Sequence, residues 1–125
     1  MLKRRKYERF QGKSGAFAAL FRTGNLPVAG KIVDISIGGI KFNYLSLAGL
    51  GEGQFNLHVF GSKERFFHLD RIKCKVIYSS KVPEKSWGDL ISWHSGVKFE
   101  RLSETTLAEL REFLSDFGVA YPQPP

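Results

Sequence analysis

The sequence predicts a mainly all-β fold, a small antiparallel barrel followed by a single helix. Six or seven short runs alternate apolar with polar residues, which is the pattern of strands that bury one face. Thirteen glycines punctuate the chain, and a helical stripe of apolar residues is found only after residue 100. A chain of 125 residues is the size of one domain, and its 42% of hydrophobic residues can supply a compact core.

The strands can be assigned in order from this alternation. In the third strand, Ile40, Phe42 and Tyr44 alternate with polar residues, as expected of a half-buried strand. The predicted strands are residues 16–21, 28–35, 39–44, 55–59, a long or bent pair within 66–78, and a last strand within 91–99. Residues 83–89 are polar and predict a loop before that last strand.

The helix is predicted to begin after Ser103, a good N-cap, with Glu104 in the first turn favoured by the helix dipole. Four apolar residues at helical spacing form its buried stripe: Leu107, Leu110, Leu114 and Phe117. Gly118 predicts a left-handed C-terminal cap, because glycine adopts positive φ angles without steric cost.

The positive charge is concentrated at the N-terminus. The chain carries a formal net charge of +7, and six of its first 13 residues are Lys or Arg. Residues 11–15 contain two glycines and predict a flexible joint. We therefore expect a basic arm over residues 1–14, a barrel with its helix over residues 15–118, and a disordered tail over residues 119–125. A basic arm points to an anionic partner.

The single cysteine, Cys74, excludes an intramolecular disulfide and favours a reducing compartment. It lies in register with Ile72 and Val76, which predicts a buried thiol rather than a nucleophile. The apolar run over residues 16–21 is too short for a signal-peptide core or a membrane span. The expected location is the cytoplasm, without membrane insertion.

The histidines do not predict a metal site. His58, His68 and His94 fall on different predicted strands, with no HxH or HxxxH spacing and no cysteine pair. The sequence also presents no nucleophile with an adjacent base, so we expect neither a cofactor nor catalysis.

Three arginines of the arm, Arg4, Arg5 and Arg9, have the chemistry to bind an anion or a purine. A guanidinium group binds phosphate oxygens as a planar fork. It can also donate two hydrogen bonds to the O6 and N7 atoms of guanine. The alternative is a solvated basic N-terminus without a specific ligand.

A polar turn between the second and third predicted strands supplies complementary groups. Asp34 can accept hydrogen bonds from the N1–H and amine of guanine, and Ser36 can donate to a phosphate or accept from that amine. Gly38 and Gly39 allow a tight turn and a close approach of the backbone to a ligand. The alternative is a turn whose Asp and Ser bond their own backbone.

Together these motifs resemble the PilZ domain family over roughly residues 4–117. The resemblance rests on RxxxR from Arg5 to Arg9, on D-x-S-x-x-G at residues 34–39, and on G-V-x-F at residues 96–99. It implies a six-stranded PilZ-type β-barrel that binds the bacterial second messenger cyclic di-GMP. By position it implies a ligand site made of Arg4, Arg5, Arg9, Asp34, Ser36 and Gly39. Tyr78 stands where the family often has a base-stacking tryptophan.

The function implied by this resemblance is a cyclic di-GMP sensor in motility or biofilm signalling. The ligand would order the arm over the barrel, and an unidentified downstream protein would read the change, with the sensor a monomer or homodimer. One alternative is a small barrel that binds single-stranded nucleic acid, although Asp34 would repel a phosphate backbone. Another is a protein-interaction module of motility or pilus machinery that works without nucleotide.

Overall fold

The computed structural model describes residues 8–21, 27–51, 53–64 and 66–121. Arg4 and Arg5 lie outside these described residues. The strands are β1 (Phe10–Gly12), β2 (Ala16–Phe21), β3 (Val28–Ile35), β4 (Gly39–Ser46), β5 (Gln54–Ser62), β6 (Phe66–Trp87), β7 (Leu90–Phe99) and β8 (Gly118–Ala120). Helix α1 (Glu104–Phe117) lies between β7 and β8.

Six strands form a closed antiparallel barrel. They follow the order β2-β5-β6-β7-β4-β3, and β3 also pairs with β2 to close the circle. Alternate residues of these strands point inward, so that Ile40, Phe42, Leu57 and Val59 are almost completely buried. The predicted six-stranded barrel with a C-terminal helix is confirmed. Cys74 is part of this core, where burial raises the pKa of its thiol to about 12.

Helix α1 packs its apolar face against the core of the barrel. Its buried residues are Leu110, Phe113, Leu114 and Phe117. Phe113 packs against Phe67 of β6 with ring centroids 5.5 Å apart. The predicted N-cap is confirmed, because the side chain of Ser103 accepts a hydrogen bond from the Thr106 amide at 3.1 Å. The described part of the chain holds no helix of the length and apolar character needed to span a membrane.

The predicted left-handed cap at Gly118 is wrong. Gly118 is extended, with φ −102°, and the chain continues directly into β8. Its amide still donates to the Leu114 carbonyl. A Cβ at this position would lie 2.7 Å from that oxygen and 3.0 Å from the Phe10 Cβ. Glycine is required here by close packing rather than by its φ angle.

Two short strands, β1 and β8, form where a flexible N-terminal arm and a disordered C-terminal tail were expected. β1 pairs with β3 on one side and with β8 on the other. The reason is that β2 covers only the Val28–Lys31 part of β3, which leaves the backbone at Asp34 and Ile35 open for β1. The prediction of a flexible arm and joint therefore fails for residues 10–12, and the prediction of a disordered tail fails for residues 119–120.

The predicted loop over residues 83–89 is wrong for residues 83–87, which belong to β6, and correct for the turn at residues 88–89. β6 continues to Trp87, and the chain turns at Gly88, which has a φ of +62°. Among the described residues, β6 pairs beyond Val76 with β7 alone, and the register shifts between Lys81 and Ser86. A proline is tolerated in that irregular stretch because no ladder hydrogen bond requires its missing N–H.

Candidate functional site

The polar turn predicted from the sequence connects β3 to β4 at one edge of the barrel. β1 pairs in register beside it, with Gln11 opposite Asp34. Arg9 precedes Gln11 by two residues, and side chains two apart in an extended chain share a face. Arg9 is therefore brought to the Asp34 carboxylate from 25 residues away in the sequence.

Arg9 and Asp34 form a forked ion pair. Arg9 Nε donates to Asp34 Oδ1 at 3.0 Å and to Oδ2 at 2.8 Å, and Arg9 Nη2 also bonds Oδ2. Asp34 is only 5% exposed. A buried carboxylate needs such a partner, because an unpaired charge in the protein interior is costly.

Tyr121 completes the surroundings of this carboxylate and was not predicted. Its hydroxyl donates to Asp34 Oδ2 at 2.6 Å, and its ring centroid lies 5.7 Å from the guanidinium carbon of Arg9. β8 carries Tyr121 to this position by pairing with β1. No sequence pattern indicates this contact, because it spans 87 residues and depends on two three-residue strands.

These contacts determine the protonation of the group. Burial alone would raise the pKa of Asp34, but the hydrogen bonds from Arg9 and Tyr121 outweigh burial and the net pKa lies below its ordinary value. The hydrogen bond to Asp34 raises the pKa of Arg9. The pKa of the Tyr121 phenol is raised mainly by burial and, second, by its hydrogen bond to Asp34. The site at neutral pH is therefore an ionised acceptor between two protonated donors.

The rest of the turn is fixed by local hydrogen bonds. The Ser36 hydroxyl accepts from the Gly38 amide at 3.0 Å, and the Ser36 amide donates to the Gly39 carbonyl at 2.9 Å. Ser36 therefore bonds the backbone of its own turn, as the alternative interpretation expected, whereas Asp34 bonds Arg9 and Tyr121 instead. Accepting one hydrogen bond leaves the Ser36 O–H able to donate to a ligand.

Gly39 has a structural role in this turn. A Cβ on Gly39 would overlap the carbonyl oxygen of Val97 on the neighbouring strand β7. Its φ is not positive. The turn between β3 and β4 is short, as expected, but the close approach that demands glycine at position 39 is between β4 and β7.

A cavity of about 410 Å³ opens beside the turn. Volumes of this size are common for small-molecule sites. Its lining includes four predicted residues and the possible stacking residue: Arg9, Asp34, Ser36, Gly39 and Tyr78. Gly38 of the predicted turn also lines the cavity, and the lining residues that the sequence did not indicate are Ile40, Lys41, Ile77, Gly96, Val97 and Lys98.

The walls of the cavity combine positive charge with apolar surface. Lys41 pairs with Asp34, and Lys98 pairs with Gly39, so both lysines lie next to the turn. Tyr78 lies over Gly96, where a Cβ would overlap its ring. Ile77 is 59% exposed and faces the same cavity after a register shift in β6. This arrangement suits an anionic ligand that also carries a flat ring.

A profile of the PilZ domain matches residues 3–116 of the chain. The chain belongs to the PilZ domain family. The resemblance found in the sequence is thereby confirmed, and this PilZ domain can be compared with solved structures. No curated protein sequence matches the chain.

Solved structures share the fold at low sequence identity. The PilZ domain of YcgR from Escherichia coli, solved with c-di-GMP, has a TM-score of 0.71 and 19% identity, covering 91% of each chain. The MrkH–c-di-GMP complex of K. pneumonia has a TM-score of 0.63 and 14% identity over 93% of this chain. The Bacillus subtilis inhibitor of motility (MotI/DgrA) has a TM-score of 0.59 and 14% identity over 92% of this chain. The chain spans about half the length of those two proteins, at 53% and 51%.

Proposed function

We propose that this PilZ domain is a receptor for cyclic di-GMP and binds a guanine of that ligand at Asp34. The observation that carries the proposal is the ionised, buried Asp34 carboxylate at the edge of the cavity. The YcgR domain and MrkH, which share this fold, were solved with c-di-GMP. Binding, rather than chemical conversion of the ligand, is the proposed activity.

The carboxylate matches guanine and not adenine. The Watson–Crick edge of guanine offers two adjacent donors, N1–H and the exocyclic amine, to the two oxygens of a carboxylate. Adenine presents an acceptor at N1 and only one donor, so a carboxylate would face an unpaired lone pair. Hydrogen bonds to a charged group are about twice as strong as neutral ones, which makes Asp34 the residue that selects the base.

The ligand must exchange with contacts that Asp34 already makes. Arg9 and Tyr121 occupy both carboxylate oxygens. In our proposal the guanine edge replaces them, and the released Arg9 turns to a phosphate of the dianionic ligand or to O6 and N7 of a guanine. When the new partner is a phosphate, Arg9 exchanges the Asp34 carboxylate for another anion, so that its positive charge stays compensated.

Further positive groups would complete the site. Lys41 and Lys98 already line the cavity. By their place in the RxxxR motif, Arg4 and Arg5 are proposed to contribute guanidinium groups from the arm. Ile77 and Tyr78 would give an apolar surface for a base. Asp34, with Ser36, distinguishes this site from a nucleic-acid groove, in which a carboxylate would repel the backbone.

The signal is proposed to leave through the chain termini. The exchange at Asp34 frees Tyr121, which directly follows β8, and β8 is held by β1 next to Arg9. Ligand binding would therefore reposition both the N-terminal arm and the C-terminal segment, and a partner protein would read that surface. The motility inhibitor with the same fold suggests motility as one output.

Calorimetric titration with cyclic di-GMP, GTP and cyclic di-AMP tests this function. We expect saturable binding of cyclic di-GMP in the micromolar range or tighter, and much weaker binding of the other two. Arg9→Ala and Asp34→Ala should each weaken binding by about 1–3 kcal/mol, the scale of a lost charged hydrogen bond.

A matched control accompanies these variants. Lys73→Ala also removes one positive charge, but Lys73 is exposed on β6 and does not line the cavity. It should bind like the wild type. Equal affinity for all three nucleotides, or wild-type affinity in both site variants, would contradict the proposal.

A further inference from the structure

Two histidines and an aspartate meet on the outer face of the barrel, outside the cavity described above. His58 is on β5, and His68 and Asp70 are on β6. Their side-chain ligand atoms all lie within 4.8 Å of one another. None of the three residues lines the proposed cyclic di-GMP cavity.

Two of the three separations between these atoms are close to those of ligands sharing one metal ion. His58 Nδ1 lies 2.9 Å from His68 Nε2 and 3.1 Å from an Asp70 carboxylate oxygen. Two ligands bonded at about 2.0–2.1 Å to a tetrahedral zinc ion are separated by about 3.3 Å. The third pair, His68 Nε2 and the Asp70 oxygen, lies within 4.8 Å, so a rotation of the exposed Asp70 side chain can bring all three groups to one ion.

The sheet builds this arrangement from two neighbouring strands. His68 and Asp70 are two residues apart on β6, so their side chains share a face. The β5–β6 register shifts between Leu57 and Val59, so that the single residue His58 of β5 lies opposite two residues of β6, a β-bulge. Such a bulge re-aims side chains, and bulges are frequent next to functional sites.

Aromatic rings hold the two imidazoles in place. The Phe60 ring stacks on His68 with centroids 4.6 Å apart and an interplanar angle of 9°. The Phe21 ring meets the edge of His58 at 4.6 Å. These contacts restrict the rotation of both imidazoles and so help to orient their nitrogens.

We infer that His58 Nδ1, His68 Nε2 and a carboxylate oxygen of Asp70 form a binding site for a divalent transition-metal ion of the zinc class. Two imidazole nitrogens and one carboxylate suit zinc, whereas calcium and magnesium prefer oxygen ligands only. The three residues leave a fourth position for water. The site is independent of nucleotide binding, because no residue is shared with the cavity.

The test is a titration of the untagged protein with Zn²⁺, followed by calorimetry, with Co²⁺ as a spectroscopic probe. We expect one ion per chain and Co²⁺ absorption bands typical of a tetrahedral site with nitrogen and oxygen ligands. His58→Ala, His68→Ala and Asp70→Asn should each weaken Zn²⁺ binding by more than about tenfold, since even outer-sphere partners of a metal cost that much.

His94→Ala is the matched control. His94 is also on an outer strand face, where Nδ1 lies 2.6 Å from Asn43 Oδ1. It should retain wild-type Zn²⁺ binding. Absence of a one-to-one site in the wild type, or full Zn²⁺ affinity in Asp70→Asn and His68→Ala, would overturn the inference. Both side chains are exposed, so these two variants keep the test valid even where His58→Ala does not fold.

Discussion

Removal of the Tyr121 hydroxyl should make the protein less stable and its nucleotide binding tighter. Tyr121→Phe keeps the ring over Arg9 but loses the hydrogen bond that the phenol donates to Asp34 at 2.6 Å. In the proposed exchange the guanine must displace this bond. Its loss therefore destabilises the free protein and lowers the cost of binding by the same amount.

The magnitude follows from the contact itself. Hydrogen bonds to charged groups contribute about 1.5–3 kcal/mol, and we take about 1–1.5 kcal/mol here because Tyr121 is only half-buried. That energy corresponds to about a five- to twelvefold change in the dissociation constant. For a chain of 125 residues it lowers the melting temperature by about 4–6 °C.

The assay is calorimetry with cyclic di-GMP together with thermal unfolding of the free protein. Tyr44→Phe is the control, because it also removes a bonded phenol, whose oxygen lies 2.7 Å from Ser95 Oγ. It should lower the melting temperature without tightening ligand binding. Unchanged or weaker ligand binding in Tyr121→Phe would refute the exchange of contacts at Asp34.

Three further predictions follow from the fold and the turn. The depressed pKa of Asp34 stabilises the fold above the ordinary pKa of about 3.9, and this stability is lost as the pH falls through the lower folded-state value. The wild type should therefore exceed Asp34→Asn in free energy of unfolding by much more at pH 7 than at pH 3, as urea unfolding can measure. A difference that does not change with pH would contradict this prediction. Gly39→Val should lower the free energy of unfolding by more than about 2 kcal/mol, because its side chain overlaps the Val97 carbonyl. Gly51→Val is the control, since a Cβ at that position meets nothing within 4 Å, and thermal melting followed by circular dichroism compares the two. Ser103→Ala should cost about 1 kcal/mol in the same assay through loss of the N-cap and leave ligand binding unchanged; an unaltered melting temperature would argue against the cap.

The barrel was predictable because its strands are half-buried. Residues such as Ile40 and Phe42 alternate with polar neighbours, and that alternation reports directly which side faces the core. The meeting of Arg9 with Asp34 was also anticipated, through the chemistry of the two motifs. The sequence did not indicate that Arg9 and Asp34 would bond to each other, because the chemistry of each motif alone indicates only contacts with a nucleotide.

Several features were not predictable because they depend on pairing between distant segments. β1 and β8 have three residues each, too few for a periodic pattern, and they form because β3 offers an open backbone edge. Tyr121 reaches Asp34 only through this pairing. The sequence does not show why Gly118 must be glycine, because the need arises from the Leu114 carbonyl together with Phe10, which lies more than a hundred residues earlier.

The histidine cluster escaped prediction for a similar reason. Spacing rules detect ligands on one helix or one strand, whereas His58 and His68 come from two strands related by a bulge. Asp70 joins them because it shares a face with His68. Register shifts of this kind have no dependable signature in a single sequence.

The central claim is that the Asp34 carboxylate accepts hydrogen bonds from guanine, and a double-mutant cycle tests it most directly. Cyclic di-GMP and cyclic di-IMP, which lacks the exocyclic amine, are titrated into the wild type and Asp34→Ala. We predict that loss of the amine costs the wild type about tenfold or more and costs Asp34→Ala almost nothing, a coupling of about 1–3 kcal/mol. An equal loss in both proteins would contradict the account, because guanine would then be recognised without Asp34.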